Sequence, residues 1–263
     1  MKGIYLKTYD EVEKLRRSND LLGRTLAHVA TFIKEGVTTA YLDKVAYDFI
    51  IQNGGKPACL HYNGYPYTLC TSINEQVVHG MPDDKTILRN GDIISVDTCV
   101  ELDGFIADSA YTFPVGHISE QKRQLLKCTK ECLCLGIENA VTGKRIGDIA
   151  FAIQQHAEKN GFSVIRDFVG HGIGKHMHEP PEVPNYGKRG TGIMLKEGMT
   201  LAIEPMIALG SYNVTIADDG WTATTTDKQP AAHFELSVCV KNNEVDILST
   251  FKYIQEVMGP NFI

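Results

Sequence analysis

Apolar positions at helical spacing open the chain: Val12, Leu15, Leu22, Leu26, Val29 and Ile33 fall on one face of a helix. Asp10, with Glu13 three residues on, reads as a capping box at its start, and Gly36 as its end. A second helix is expected from Thr39 to Asn53, stopped at Gly54-Gly55, where glycine most easily takes the left-handed cap. An aromatic, loop-like stretch follows, CLHYNGYPYTLC. From Asp92 to Phe113 the pattern changes to a strand hairpin. The order then recurs, with a helix from about Ser119 to Val141, a stop at Gly143 and a helix ending at Asn160-Gly161.

Laid on itself with a shift of 107 residues, the chain pairs Gly36 with Gly143, Leu42 with Ile149, Asn53 with Asn160 and Gly54 with Gly161. Leu88 then falls on Leu195, Arg89 on Lys196, Gly91 on Gly198, and Asp97 on Glu204. We therefore expect a single domain over residues 1–263, made of two similar halves at about 10–115 and 116–250. A seam between such halves is a natural pocket.

Two apolar segments carry acids that a core has no use for: GDIISVDTCV holds Asp97 and GMTLAIEPMI holds Glu204, each expected at the end of a strand. Alone, either acid is more often solvated or turn-capping. The two-residue turn signal Asp103-Gly104 places Leu102 opposite Phe105 and, counting outward, Cys99 opposite Asp108. Side chains alternate along a strand, so Asp97 and Cys99 share a face and Asp108 joins them on the diagonal, about 7–8 Å away between backbones. Two carboxylates can then converge on one cation.

The segment FVGHGIGKHMHEPPEVPNY supplies nitrogen ligands. Its alternate glycines do not follow the GxGxxG spacing of a phosphate loop, and prolines follow, so a nucleotide site is discounted. His171 between two glycines has little local packing, and flexible glycines would let its imidazole reach a metal. His178 adds a second imidazole.

The Asp97 and Asp108 hairpin, the His171 segment, the IEPM around Glu204 and the HFE around Glu235 together resemble the methionine aminopeptidases over nearly the whole chain. The length, without a zinc-binding extension or a helical insertion, is similar to the type I, bacterial-type members. The resemblance implies an α+β pita-bread fold, two pseudo-symmetric α/β halves around a curved antiparallel sheet. It implies two divalent ions, Asp97 and Asp108 on one, His171 and Glu204 on the other, with Asp108 and Glu235 bridging. Oxygen donors plus one imidazole suit Mn, Fe, Co or Zn. Such ions, about 3.5–4 Å apart, would share a water, bring its pKa towards neutrality and polarise the scissile carbonyl, so that a bridging hydroxide attacks.

By the same resemblance Glu204 moves the proton, His178 donates to the carbonyl oxygen and His79, in NEQVVHGMP, contacts the scissile nitrogen. Cys59, Tyr62, Tyr65, Cys70, Met177 and Trp221 form the methionine pocket, whose thiol, thioether and aromatic walls suit a polarizable side chain. Each of these would otherwise read as core packing. The implied substrate is the initiator methionine of nascent polypeptides, removed when the second residue is small. Four positions depart from the family pattern: Ala107 where Gly is usual, Met177 for Phe, His233 for Gln and Leu236 for His. They touch the pocket and the surroundings of Glu235 without removing a ligand.

Composition narrows the setting. At 263 residues, 43% hydrophobic and 22% charged, the chain is an ordinary globular sequence with enough length for a sizeable core. It has no run of about 18 apolar residues, and MKGIYLKTYDEVEK lacks the apolar stretch of a signal peptide, so a cytoplasmic protein without a membrane partner is expected. Seven cysteines with no CxxC pair fit reduced thiols, and Cys128, Cys132 and Cys134 read as helix packing. A net charge of −6 argues against nucleic-acid binding. A monomer is expected, and contact with the ribosome follows only from the family's task. Two alternatives stand beside this reading. A proline-directed aminopeptidase of the same fold usually carries a further N-terminal domain, for which the roughly 90 residues before the hairpin leave no room. A metal-free binding module would have lost a ligand.

Overall fold

Thr8 starts the first helix. In the computed structural model, which describes residues 3–263, its side chain accepts from Glu11 N and its own N–H donates to Glu11 Oε2 at 3.0 Å. The capping box is therefore Thr8 with Glu11, and the expected Asp10 and Glu13 lie inside helix α1, Tyr9–Ala30. Thr8 prevails because its backbone is extended, at φ −72° and ψ 165°, the geometry a cap requires. Helix α1 also stops earlier than expected. Thr31 closes it, and Gly36 instead turns the chain at φ +86° and donates to Leu88 O at 2.9 Å. Helix α2 spans Thr39–Gln52, capped by the Thr38 side chain and ended at Asn53-Gly54.

The strands Ile93–Leu102 and Phe105–Pro114 form the long hairpin, with Leu102 opposite Phe105, Cys99 opposite Asp108 and Asp97 opposite Ala110. Asp103 and Gly104 both take positive φ, as a tight hairpin turn of this hand demands. Asp97 lies in mid-strand rather than at the strand's end, since the apolar run continues through Val100 to Leu102. Cys70–Ile73 and Lys56–Pro57 pair with the same strand. Helix α1 packs across the hairpin and against α2.

Helix α3, Glu120–Glu138, packs on α4, Ile146–Lys159, and ends three residues before the expected Val141. Cys128 and Cys132 are buried on α3, whereas Cys134 is exposed. Beneath these helices lies a five-stranded antiparallel sheet in the order 245–247, 236–240, 200–203, 170–172 and 179–183. One apolar core joins both sets of elements, from Leu22, Leu26 and Ile50 through Val96 and Tyr111 to Ile153, Ile203 and Phe234.

Backbone contacts recur at the spacing of 107 residues. Thr38 bridges Ile87 as Arg145 bridges Met194. Gly36 N donates to Leu88 O as Gly143 N donates to Leu195 O, and Leu88 N to Val37 O as Leu195 N to Lys144 O. Helices α2 and α4 are each 14 residues long. Among the described residues no helix is long and apolar enough to cross a membrane.

Candidate metal centre

The four acids and one imidazole expected as ligands come from four separate places in the chain and meet at the seam. Asp97 and Asp108 face the cavity from the hairpin. Glu204 follows the strand Thr200–Ile203, and Glu235 sits between Ala231–His233 and Leu236–Val240. Side-chain hydroxyls and an amide hold their backbones. Ser109 Oγ donates to Glu235 O at 2.7 Å, Ser237 Oγ to Asp108 O at 3.0 Å, and Asn185 Nδ2 to Glu204 O at 3.0 Å. Glu235 N donates to Ala110 O at 2.9 Å, so the second half is stitched directly onto the hairpin.

His171 lies in the short strand Gly170–Gly172, and the reason for its glycines differs from the one expected. Neither has positive φ; a Cβ on Gly170 would stand 2.4 Å from Ala202 O, and one on Gly172 2.4 Å from Pro180 O. Close approach of neighbouring backbones, not flexibility, requires them. The imidazole is thereby fixed between strands, and its Nδ1–H donates to Gly172 O at 3.0 Å, which leaves the Nε2 lone pair facing the acids.

Asp108, His171 and Glu235 each offer a donor atom within 4.8 Å of the others. His171 Nε2 is 3.6 Å from Asp108 Oδ2 and 3.5 Å from Glu204 Oε1. These spans are too long for hydrogen bonds. They suit two donors that each reach about 2.1 Å to one ion. Asp97 stands outside the tight group of three but close enough to Asp108 that their charges interact.

Burial, then the charges of Asp108 and Asp97, pushes Glu204 well above the usual carboxylate range, and Glu235 is pushed up likewise, with Glu204 adding to the repulsion. Burial first and Asp108 second raise Asp97, and burial raises Asp108. Asp97 Oδ1, Asp108 Oδ1 and Glu235 Oε1 are buried without a hydrogen-bond partner. Four crowded acids, three of them with an unpaired oxygen, are an unfavourable arrangement for the protein alone and a fitting one for cations. Burial lowers His171 to about 4, so it is neutral and able to ligate near pH 7.

A cavity of about 380 Å³ opens onto these groups and is lined by every expected site residue. Tyr62 Oη lies 2.8 Å from His178 Nδ1, and the His178 ring sits edge-on to His171 at 4.4 Å. His79 takes positive φ, which aims its ring at Phe168 and Trp221, 5.4 and 6.4 Å away between centroids. Tyr65 packs edge-on to Trp221 at 5.1 Å and donates to Leu69 O. Cys59, Tyr65, Cys70, Cys99 and Met177 form one apolar cluster with Tyr62 and Trp221 at its edge. Phe168, Val78, Val169, Asn63 and Asp167 also line the cavity and were not anticipated. Only Phe168 carried a signal, as the aromatic three residues before His171.

Residues 13–242 match the model of metallopeptidase family M24. The chain belongs to that family. It is 46% identical to a methionine aminopeptidase of Clostridium perfringens over 95% of this chain and 100% of the relative. It is 47% identical to one of Clostridium acetobutylicum, over 94% and 98%. The crystal structure of methionine aminopeptidase from Rickettsia prowazekii superposes with a TM-score of 0.93 at 40% identity, covering 94% of this chain and 100% of that one. The α+β pita-bread fold expected from the sequence is thus the fold of this metallopeptidase. Membership implies divalent metal, and the donor set fits it.

Of the four departures from the family pattern, Ala107 and Leu236 are buried in the apolar core, and Met177 belongs to the cavity wall. The Glu235 backbone is held by Ala110 and Ser109, and these bonds do not involve the Leu236 side chain. His233 is completely buried and lies on the cavity, with Nε2 3.7 Å from Glu204 Oε2.

Proposed function

We propose that this protein is a metal-dependent methionine aminopeptidase, a single catalytic domain of two halves that removes the N-terminal methionine when the second residue is small. The observation that carries the reading is the meeting of Asp108, His171 and Glu235 on the floor of a cavity walled by sulfur and aromatic side chains. Asp97, Asp108, His171, Glu204 and Glu235 would hold two divalent ions, from among Co, Mn, Fe and Zn. When bound, such ions supply an acidified water and polarise the scissile carbonyl.

The remaining work falls to the chain. Cys59, Tyr62, Tyr65, Cys70, Met177 and Trp221 receive the methionine side chain by dispersion contact. With Tyr62 donating to Nδ1, the His178 proton sits on Nε2, from which it donates to the carbonyl oxygen as charge develops. His79, lowered to about 4 by burial and then by His178, is neutral and keeps one N–H for the scissile amide. Glu204, between His171 and His233, takes the proton from the attacking water and returns it to the leaving amine. The same reading makes nascent polypeptide N-termini the partners, with the ribosome nearby, and places a monomer in the cytoplasm.

Hydrolysis of Met-Ala-Ser, Met-Leu-Ser and an Xaa-Pro peptide, with chelator and metal add-back, tests it. Release of methionine from Met-Ala-Ser, abolished by chelator and restored by metal, is expected. Metal-dependent cleavage confined to the Xaa-Pro peptide would instead make it a proline-directed enzyme, and no cleavage a binding module.

A further inference from the structure

We propose that His233 is a sixth protein ligand, which places a second imidazole on the Glu204 side of the metal centre. The inference rests on the metallopeptidase reading and adds a donor to it.

His233 ends the strand Ala231–His233, and Thr112 fixes its backbone from both directions. His233 N donates to Thr112 Oγ1 at 2.9 Å, and Thr112 Oγ1 donates to His233 O at 2.8 Å. Ser95 Oγ holds the same threonine at 2.8 Å, so the backbone that carries the ring is fixed at the cavity the ring lines. Only 1% of the residue is exposed, yet neither Nδ1 nor Nε2 has a hydrogen-bond partner. A buried imidazole left in that condition is destabilising. Its position calls for an acceptor of its lone pair.

Glu204 points to where that acceptor lies. Its Oε1 faces His171 Nε2 at 3.5 Å, and its Oε2 faces His233 Nε2 at 3.7 Å. The second distance exceeds a hydrogen bond by several tenths of an ångström. It falls within the span of about 4.2 Å that two donors reach when each lies about 2.1 Å from a shared ion. The carboxylate is thus flanked by two imidazoles at matching separations, both carried by short strands of the second half. Neutral imidazole has one free lone pair, and on His233 it faces Glu204 when Nε2 is unprotonated. A second nitrogen shifts the preference of the site from Mn towards Co, Zn or Fe.

Proton NMR of the Co(II)-loaded protein tests this in the wild type. Two ligating histidines give two paramagnetically shifted, exchangeable N–H resonances, whereas His171 alone gives one. Two are expected; a single resonance overturns the assignment. Calorimetry on His233→Gln, with folding checked by circular dichroism, supplies an independent reading, because glutamine can hydrogen-bond Glu204 but offers no imidazole. We expect Co(II) affinity at one site to fall by about 10-fold or more, Mn(II) affinity to fall less, and the visible Co(II) band to shift. Unchanged affinity, or an unchanged band, counts against ligation. Failure of the wild type to bind either metal would instead overturn the metal centre itself.

Discussion

Asp108 stands directly opposite Cys99 on the hairpin and 3.6 Å from His171, so asparagine in its place preserves shape while removing the charge a cation needs. Asp108→Asn should lower kcat by at least about 100-fold, with metal stoichiometry by elemental analysis falling in parallel; a variant that turns over normally would remove Asp108 from the centre. Tyr62→Phe probes the other side. It deletes only the hydroxyl 2.8 Å from His178 Nδ1, which in the proposed mechanism sets the tautomer, and kcat should drop about 10-fold with KM less affected, as steady-state rates on Met-Ala-Ser would show. Residues such as Asp97 and Asp108 were legible because alternation along a strand fixes faces once the turn is known. Phe168 and His233 were harder to place. Which side chains wall a cavity depends on how distant strands cross, and local spacing does not encode that.

Turn chemistry made the hairpin register readable to the residue, since Asp103-Gly104 admits few alternatives. Helix ends were less legible. Thr8 and Asp10 are both eligible caps by type, and only backbone geometry separates them; Phe32 and Ile33 stay apolar because they pack on the core after the helix has ended. The Gly-His-Gly strand shows the same limit, for its glycines were visible but the adjoining backbones were not. Gly172→Ala should destabilise the protein by about 1–3 kcal/mol and weaken metal binding by displacing His171, as melting and calorimetry would reveal. A wild-type melting temperature would mean that Pro180 can retreat. The N-terminal arm supplies a second test at this scale. Lys7 is buried against Glu179, next to the loop that carries Met177 and His178. Lys7→Met leaves the carboxylate without its partner and should cost about 3–5 kcal/mol, whereas Lys7→Met combined with Glu179→Gln should recover part of that loss in the same denaturation assay.

At the scale of the molecule, the recurrence at 107 residues was legible through glycines at positions of positive φ, because a left-handed turn tolerates few other residues. Between the two sets of elements lies a seam whose charge governs stability. In the metal-free protein burial and mutual repulsion raise Asp97, Glu204 and Glu235 well above their ordinary values, and burial raises Asp108. A raised acid holds its proton more tightly when folded, so its contribution is complete below the unfolded value, about pH 4, and is lost as pH climbs towards the folded one. The buried His79, His171 and His233, lowered to between about 3 and 4, act in the opposite sense and gain stability up to about pH 6.5. Three lowered histidines offset only three of the four raised acids, so the free protein should lose melting temperature gently from these groups between about pH 4 and 6.5 and more steeply above, where the histidines no longer compensate. Histidine ligands are neutral in the loaded protein too, so the difference between loaded and free forms isolates the acids. That gap should widen steadily from about pH 4 upward. With metal at about 100 times its Kd the stabilisation is about 2.7 kcal/mol, or roughly 5–10 °C in a chain of this size. Paired melts in chelator and in Co(II), taken across that range, measure it directly; a gap that narrows as pH rises would mean that the four acids do not share their charge with cations.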